Sequence, residues 1–453
     1  MRNQHPTYTD LHRLLFVTLP VEKARLHWLI RCIPLQHKEK IRFCEHKYLN
    51  EKDLYMRKLF MLYFPISIIA LYLMLFVPMD LLRQSATPPL PSTSEPINSA
   101  MPDDDMNLDS VNPIDIQVDF IEPVDDVETP PPPKDSISLS VVGDVMMDSV
   151  IGDYIRKYGV DYSWADVSSE LSRSDLAIAN LETSVSTRGS TLKPQGYGFR
   201  SQPLTLKGLS NSGIDLVSLA NNHSLDFGTD ALFDTLDALD ENGIAYTGAG
   251  RNRQVAEKLV ILQRNGLNIG FLSYTSIIPH KSWIAQDTIP GIAPLVPDQY
   301  DRILQHIEAS DAQCDILIVL LHWGIEHSDQ VEPWQQQLAQ KMIGHGADAI
   351  VGHHPHVLRG IAFYRNKPII YSTGNFIFLK RDEKAGRSAI FTMELNREGF
   401  VRGNIQPIHI QYGKANLLQK NNPLRQKIID DIHKLSIPLG TTFTPDGEFF
   451  LQE

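Results

Sequence analysis

Three histidines stand within four consecutive positions in the segment VGHHPH, residues 351–356, of a chain of 453 residues with 16 histidines. They follow an apolar run at residues 347–351 that is typical of a buried strand. Imidazole nitrogens bind divalent metals and exchange protons near neutral pH. The segment therefore predicts either a chemical site at the end of a strand or a loop in which histidine has no special role.

Polar residues of matching chemistry also follow most of the other predicted strands. The strand ends read Gly143-Asp144, Asn180-Leu181-Glu182, Asn221-Asn222-His223, His322-Trp323-Gly324 and Gly374-Asn375. Loops at the carboxyl ends of strands are where α/β sheets place ligands, so we expect these side chains to converge. Carboxylate, amide and imidazole groups without thiolates suit one or two divalent ions such as Zn, Mn or Fe. A carboxylate shared by two ions about 3.5–4 Å apart would clamp a phosphoryl group.

The ordered series GDVMMD, NLET, NNH, HWGIE, GHHPH and YSTGNFIF resembles the motifs of the CapA-type poly-γ-glutamate capsule biosynthesis family. That family belongs to the calcineurin-like metallophosphoesterase superfamily. The resemblance extends from about Ser136 to about Leu379, more than half of the chain. It implies an α/β fold, in which two mixed sheets form a sandwich flanked by helices and metals bind at the strand ends.

The resemblance also implies a role for each matching residue. His223 is expected to assist the leaving oxygen, and Asp144 to act in both catalysis and metal binding. The implied metal ligands are Asp144, Glu182 (in the bridging position), Asn222, His322, His354 and His356.

Two residues in these motifs remain open. The superfamily's first motif has a histidine that is missing here, so the second ion is expected to bind weakly or not at all. Asp148 stands where the family usually has a basic residue; it is either an additional ligand or, as we favour, a helix N-cap. His353 is not assigned as a ligand. It either supports a ligand or packs against neighbouring side chains.

Further residues could contact a substrate. The segment GYGFR at residues 196–200 lies between glycines and resembles a family segment near the pocket. Tyr197 and Arg200 could therefore meet an anionic group, since Arg binds phosphate and carboxylate in bidentate fashion; a surface arginine is the alternative. Asn375 either shapes the pocket floor or caps a turn. Asp226 and Glu326 are candidates to accept the second N–H of a histidine ligand.

The elements that must position these residues alternate along the chain. Apolar runs begin near residues 136, 175, 215, 268, 315, 348 and 368, and helical patterns lie between them, at residues 229–241, 297–309 and 333–344. This alternation predicts a layered α/β domain. We place it at residues 136–400. Two strand-like segments, FTMELN and IQPIHIQY, lie near its end, and residues 401–453 are a C-terminal extension that ends in a mostly polar tail.

The N-terminal part predicts membrane attachment. Residues 59–79 carry no charge and are numerous enough for a helix to span a bilayer, and we take 59–82 as a single transmembrane anchor. Residues 1–58 contain 12 Lys and Arg against 6 Asp and Glu, whereas residues 84–135 contain 1 against 12. This asymmetry places the basic segment in the cytoplasm and the domain outside the inner membrane. The Pro-rich, acidic stretch 83–135 is predicted to be a disordered linker.

Composition excludes some classes of function. The formal net charge of −12 argues against nucleic-acid binding, and the three cysteines form no metal or disulfide motif. Two functions remain: hydrolysis of a phosphoester, and assembly or export of an anionic capsule polymer together with other membrane proteins. They are compatible if the polymer step requires the metal. A purely structural module is a third, less favoured interpretation.

Overall fold

The alternating apolar and amphipathic stretches form strands and helices, and the computed structural model describes residues 135–193 and 197–451. In chain order the strands are β1 (Ser136–Val145), β2 (Leu176–Leu181), β3 (Ser184–Val185), β4 (Arg200–Ser201), β5 (Leu216–Ser218), β6 (Ala245–Thr247), β7 (Ala249–Gly250), β8 (Val260–Arg264), β9 (Leu267–Thr275), β10 (Gly291–Ile292), β11 (Ile316–His322), β12 (Ala349–His353), β13 (Ile361–Tyr364), β14 (Lys367–Ile370), β15 (Asn375–Ile377), β16 (Arg387–Asn396), β17 (Gly399–Gln411), β18 (Lys414–Leu417), β19 (Thr441–Phe443) and β20 (Glu448–Leu451).

The helices lie mainly between the parallel strands. They are α1 (Ser149–Tyr158), α2 (Ser168–Leu171), α3 (Thr205–Asn211), α4 (Gly228–Glu241), α5 (Arg253–Ala256), α6 (Tyr300–Asp311), α7 (Pro333–Gly344) and α8 (Pro423–Ser436). Short 3₁₀ helices lie at Lys281–Trp283, Pro297–Gln299 and Ile437–Leu439. Helix α7 begins with proline at its first position and with a capping box between Glu332 and Gln335, which satisfies backbone N–H groups at its start.

Two mixed sheets make up most of the domain. The larger has the order β19-β20-β17-β16-β1-β2-β5-β6, with β15 paired to β1 and β18 paired to β17. The smaller has the order β13-β14-β12-β11-β9-β8. Strands β1, β2, β5 and β6 are mutually parallel, as are β9, β11, β12 and β14. The carboxyl ends of four parallel strands in each sheet are therefore available at one edge.

Three apolar clusters hold these layers together. One lies between the sheets and includes Leu139 and Ile178 from the larger sheet with Phe271 and Ile318 from the smaller one. The other two clusters join the outer face of each sheet to its helices. Burying each large aliphatic side chain contributes about 1.5–3 kcal/mol, so this three-layer core fixes the strand ends in place. The prediction of a layered α/β fold with mixed sheets and flanking helices is confirmed.

Two boundaries differ from the sequence prediction. The apolar run 368–376 is divided into β14 and β15, which belong to different sheets. The predicted boundary after residue 400 falls inside β17, which runs from Gly399 to Gln411. The segment expected to be a mostly polar tail forms α8, β19 and β20, and Ile428, Ile429 and Ile432 of α8 enter the core between the sheets. The apolar residues of α8 recur every three or four positions, as in an amphipathic helix. The polar residues around them led instead to the prediction of a tail.

Residues 1–134, which hold the predicted cytoplasmic segment and membrane anchor and nearly all of the predicted linker, lie outside the described residues. Within residues 135–193 and 197–451, none of the helices is both long enough and apolar enough to cross a bilayer.

Candidate metal centre

The two sheets bring the polar strand ends together at one edge. Asp144 lies near the end of β1, and Glu182 directly follows β2. His322 is the last residue of β11 and is paired in register with His353 at the end of β12. These side chains are buried, with exposed fractions of 0% for both Asp144 and Glu182 and 1% for His322. The sequence pattern therefore corresponds to one cluster that both sheets build.

The carboxylate of Glu182 lies at the centre of this cluster. Its Oε1 atom lies 3.6 Å from His356 Nε2, 3.7 Å from His223 Nε2 and 3.8 Å from His322 Nε2. These separations are too long for hydrogen bonds, and Oε1 is buried with no hydrogen-bond partner. Ligand bonds of about 2.0–2.2 Å place neighbouring ligand atoms at about such separations, so Glu182, His322 and His356 could hold a divalent ion between them.

Two sets of potential ligands share Glu182. One consists of Asp144, Glu182 and His322, and the other of Glu182, His354 and His356; within each set the ligand atoms lie within 4.8 Å of one another. His354 Nδ1 is a further buried atom without a hydrogen-bond partner, whereas Asp144 Oδ2 lies 3.1 Å from His356 Nδ1. Orphaned buried polar atoms are costly, and two of them in a single cluster fit a cation site. The residues present therefore fit one ion or a pair of ions bridged by Glu182.

Amide and imidazole groups complete the cluster. Asn222 Oδ1 lies 2.8 Å from His322 Nε2, so both atoms face the same space. The rings of His322 and His354 lie 4.8 Å apart between centroids. His354 and His356 both adopt positive φ angles, of 96° and 57°. Non-glycine residues rarely adopt this conformation, and such residues cluster at functional sites, where the surrounding structure holds them in place.

Electrostatics indicate a deficit of positive charge. Burial, and next the charge of Asp144, hold the pKa of Glu182 well above its usual value. Burial also acts to raise the pKa of Asp144, but hydrogen bonds with His353 and His356 outweigh it and hold that pKa well below the usual value. Although burial lowers it, the pKa of His356 is raised to about 9 by Glu182 and Asp144. Two adjacent buried carboxylates thus favour a protonated, positively charged histidine. A divalent cation bound here would supply that positive charge instead.

His223 has a different environment from the predicted ligands. Its Nδ1 lies 2.6 Å from Asp226 Oδ2, and its ring stacks on Phe199 at 4.4 Å between centroids. Lys193 Nζ lies 3.0 Å from Asp226 Oδ1 and pairs with this carboxylate. With Nδ1 held by Asp226, the Nε2 atom of His223 faces Glu182 and the space in front of the cluster. This geometry suits proton transfer to a bound substrate.

A cavity of about 450 Å³ opens in front of the cluster. It is lined by Leu192, Lys193, Tyr197, Phe199, Asn222, His223, Pro279, His280, Glu326, His327, His356, Asn375, Phe378, Leu379, Arg381 and Ala385. Apolar and aromatic side chains thus form much of the wall, and the candidate ligands Asn222 and His356 lie on it. A small molecule or one section of a chain can reach the cluster here.

Comparison with known proteins gives the family. The model of the family described as "Bacterial capsule synthesis protein PGA_cap" matches residues 138–380. The chain belongs to this family. "Capsule biosynthesis protein CapA" of Bacillus anthracis is 31% identical to this PGA_cap protein over 301 residues, 65% of this chain and 73% of that one. "PGA biosynthesis protein CapA" of Bacillus subtilis (strain 168) is 30% identical over 302 residues, 66% of this chain and 78% of that one.

Solved structures are more distant from this PGA_cap protein. A hypothetical protein from Thermus thermophilus gives a TM-score of 0.39 at 16% identity, covering 61% of this chain and all of that one. The NAD nucleotidase NadN of Haemophilus influenzae gives a TM-score of 0.37 at 14% identity, covering 65% and 55% of the two chains. Likeness at this level carries no argument about the activity of the PGA_cap protein.

Of the three residues predicted to contact a substrate, two line the cavity and one does not. Tyr197 lines it and is 62% exposed. Asn375 also lines it, but its side chain accepts from His356 Nδ1 at 2.9 Å and donates to the His356 and Ala385 carbonyls, so it orients His356. Arg200 is absent from the described lining: its guanidinium donates to the carbonyls of residues 188 and 189 and lies over the Phe227 ring. That side chain therefore fastens a loop.

The remaining predictions have mixed outcomes. Asp148 is the N-cap residue of α1, but its side chain accepts from the Arg200 N–H instead of capping the helix. Asp226 does accept a histidine N–H, although that histidine is His223 and not a predicted ligand. Glu326 is exposed at the cavity. His353 Nδ1 lies 2.9 Å from Thr373 Oγ1 and 3.5 Å from Asp144 Oδ1, as a residue supporting a ligand would.

Sequence reasoning did not single out Asn180 as a site residue. Its Nδ2 donates to Asp144 Oδ1 at 2.8 Å and to Glu182 Oε2 at 3.2 Å, so one amide holds both carboxylates. Alternation along a strand places residues i and i+2 on the same face, and Asn180 stands two positions before Glu182. That spacing was the available signal.

Proposed function

We propose that this PGA_cap protein acts in the synthesis or export of poly-γ-glutamate, or of a related anionic envelope polymer, through a divalent-metal site of the phosphoesterase type. The observation that carries the proposal is the Glu182 carboxylate, whose unpartnered Oε1 lies 3.6 Å from His356 Nε2 and 3.8 Å from His322 Nε2, both in the proposed ligand set. The family match supports the link to capsule polymer.

The ligands and their roles are part of the proposal. Mn, Zn or Fe would be held by Asp144, Glu182, Asn222, His322, His354 and His356. When bound, such an ion supplies a Lewis acid that polarises a phosphoryl or carbonyl oxygen. Asn180 and Asn375 orient the ligands through the hydrogen bonds described above.

His223 provides the proton in the proposed reaction. Asp226 holds its Nδ1, so that Nε2 points toward the space where the leaving oxygen would lie. In hydrolysis, an oxygen from water forms the new bond to phosphorus and the bond to the leaving oxygen breaks. His223, protonated at both ring nitrogens, gives its Nε2 proton to the leaving oxygen, and the proton that the attacking water loses restores it. Phe199 stacks on the imidazole and restricts its rotation.

The location of the site is also proposed. The charge asymmetry around residues 59–82 favours a single anchor in the inner membrane, with the domain on the outer side. An anchored, outward-facing site would meet a polymer that leaves the cell and other membrane proteins of capsule synthesis. The alternative is a metal-dependent phosphoester hydrolase unrelated to poly-γ-glutamate, which the same ligand set would serve.

The test measures metal and turnover on the same samples of full-length protein purified in detergent. Elemental analysis and aryl-phosphate hydrolysis would compare the wild type with Glu182→Gln. Glu308→Gln is the matched control, since Glu308 has a 70% exposed side chain paired with His345 outside the cavity. We expect near-stoichiometric metal and turnover in the wild type and the control, and loss of both in Glu182→Gln.

Other outcomes would support one part of the proposal and contradict another. Metal without turnover of aryl phosphates would favour a site that acts only on the polymer or its assembly. Turnover of simple phosphoesters with no effect of the protein on polymer length or release would favour the unrelated hydrolase. Wild-type protein that retains its fold but binds none of the three metals would contradict the metal site.

A further inference from the structure

The mouth of the cavity contains a cation whose charge is not balanced by a carboxylate. Arg381 lines the cavity and is exposed. Within the part of the chain that the structure describes, no carboxylate lies within salt-bridge distance of its guanidinium, which contacts His327 Nε2 at 3.3 Å. Since an imidazole nitrogen is the acceptor there, this hydrogen bond orients the guanidinium without neutralising it.

The neighbouring cations on the same turn are arranged differently. Lys380 Nζ pairs with Glu383, and Lys384 Nζ lies 2.7 Å from Asp329. Among the described residues that line the cavity, Glu326 is the single carboxylate, while Lys193 is already paired with Asp226. Arg381 thus stands apart from its neighbours, as a guanidinium left available toward the cavity in a chain of net charge −12.

A short path connects this cation with the metal centre. The ring of His327, which accepts from Arg381, lies 6.0 Å from the ring of His356 between centroids. His356 in turn belongs to the proposed ligand set around Glu182. An anion at Arg381 would therefore lie in the same cavity as the metal ligands, separated from them by the width of one histidine side chain.

We propose that Arg381, oriented by His327, forms a second anion-binding subsite at the mouth of the cavity. It takes a carboxylate or phosphate of a polyanionic chain while another anionic group of that chain lies at the metal centre. A guanidinium suits either oxyanion because its planar N–H groups match two oxygens at once. The inference rests on the proposed function, since it assigns the centre a substrate with repeated negative charges instead of a single phosphoester.

The experiment uses manganese-loaded full-length protein in detergent and fluorescence anisotropy with three labelled probes. A γ-linked glutamate decamer and a ten-unit glycerol phosphate oligomer carry carboxylates and phosphates, and a γ-linked glutamine decamer is the uncharged counterpart of the first. The variants are Arg381→Ala and Arg381→Lys. Arg402→Ala is the matched control, because Arg402 is a 77% exposed arginine paired with Glu394 outside the cavity lining.

We expect Arg381→Ala to raise the Kd for one of the anionic oligomers about tenfold, as for the loss of one partly exposed charge-assisted contact. Arg381→Lys should lie between this variant and the wild type, and Arg402→Ala within about twofold of the wild type. The oligomer that responds identifies the anion as carboxylate or phosphate, and the glutamine decamer should bind in none of the samples.

Three results would overturn the inference: no binding of either anionic oligomer to the wild type, equal losses in Arg381→Ala and Arg402→Ala, or no difference between Arg381→Ala and the wild type. Metal content is measured on the same samples. If Glu182→Gln, tested above, kept its metal, the proposed function would be contradicted. The subsite is judged by a different measurement, the change in oligomer Kd caused by Arg381→Ala.

Discussion

The floor and the mouth of the cavity are built in opposite ways. The floor is the cluster behind the cavity, of which Asn222 and His356 reach the lining. It consists of Asp144, Glu182, Asn222, His322, His354 and His356, all buried and carried at the ends of parallel strands or in the loops that follow them. The mouth consists of Tyr197, Glu326, His327 and Arg381, all exposed and carried on loops. Both sheets contribute to the floor, since Asp144 and Glu182 come from the ends of β1 and β2 and His322 ends β11, whereas the mouth residues lie between elements.

This difference separates two tasks. A metal site requires ligand atoms positioned within fractions of an ångström, which rigid strand ends provide. A surface that meets a long polymer gains from side chains on loops, which vary and adjust. Substitutions in the floor should therefore act on metal and turnover, and substitutions in the mouth on binding alone. The following predictions test that division, from the largest effect to the smallest.

The largest effect is expected for His223→Asn. Removing a positioned proton donor lowers turnover by about 10²–10⁴-fold, whereas the ligand set stays intact. Aryl-phosphate hydrolysis and elemental analysis should therefore show turnover lost and metal retained. His345→Asn is the control, because His345 pairs with the exposed Glu308 outside the cavity. Loss of metal in His223→Asn would instead place His223 among the ligands.

The two adjacent histidines should differ in their effect on metal affinity. His354→Gln removes a proposed ligand and should weaken manganese binding by more than about 100-fold. His353→Gln removes a neighbour that supports Asp144 and contacts Thr373, and should weaken manganese binding by roughly tenfold. Isothermal titration calorimetry of manganese into metal-free protein, prepared with a chelator, measures both affinities. A larger loss in His353→Gln than in His354→Gln would reverse the assignment.

The floor could be predicted from sequence to a large extent. Polar residues after Val142, Leu181 and Leu321 were expected to converge because α/β sheets place ligands at the carboxyl ends of their strands. The family resemblance then named which of these side chains would be ligands. Asn180 was among the polar strand ends expected to converge, but the family resemblance gives it no role, so its donation to both carboxylates was not predicted.

The mouth could not be predicted in the same way. Its residues come from loops that are distant in sequence, and no period or spacing relates residue 197 to residue 381. Arg200 shows the consequence: its residue type suited an anion, but local backbone geometry directs it to carbonyls and to the Phe227 ring. The C-terminal strands were misjudged for a similar reason, since β20 pairs with β17 and β19 with β20, contacts across the sheet that the local sequence does not indicate.

A moderate effect is expected for Asn180→Ala, which belongs to the floor without being a ligand. Its amide orients Asp144 and Glu182, and removing such an outer partner costs about 10–100-fold in metal affinity. Manganese titration should show this loss, while turnover at saturating manganese recovers most of the wild-type value. Asn416→Ala, on β18, is the control, because its hydrogen bonds stay within the hairpin. Unchanged affinity in Asn180→Ala would contradict the positioning role.

The smallest effect on binding is expected for Arg200→Ala, which tests where the mouth ends. The Arg200 guanidinium donates to two loop carbonyls at 3.1–3.2 Å and lies 4.4 Å from the centre of the Phe227 ring. Its removal should cost about 1 kcal/mol of unfolding free energy, measured by urea denaturation, because the contacts are partly exposed. The Kd for the anionic oligomers should change less than twofold. A loss of binding as large as that of Arg381→Ala would extend the mouth to Arg200 and show that the polymer path passes over this side chain.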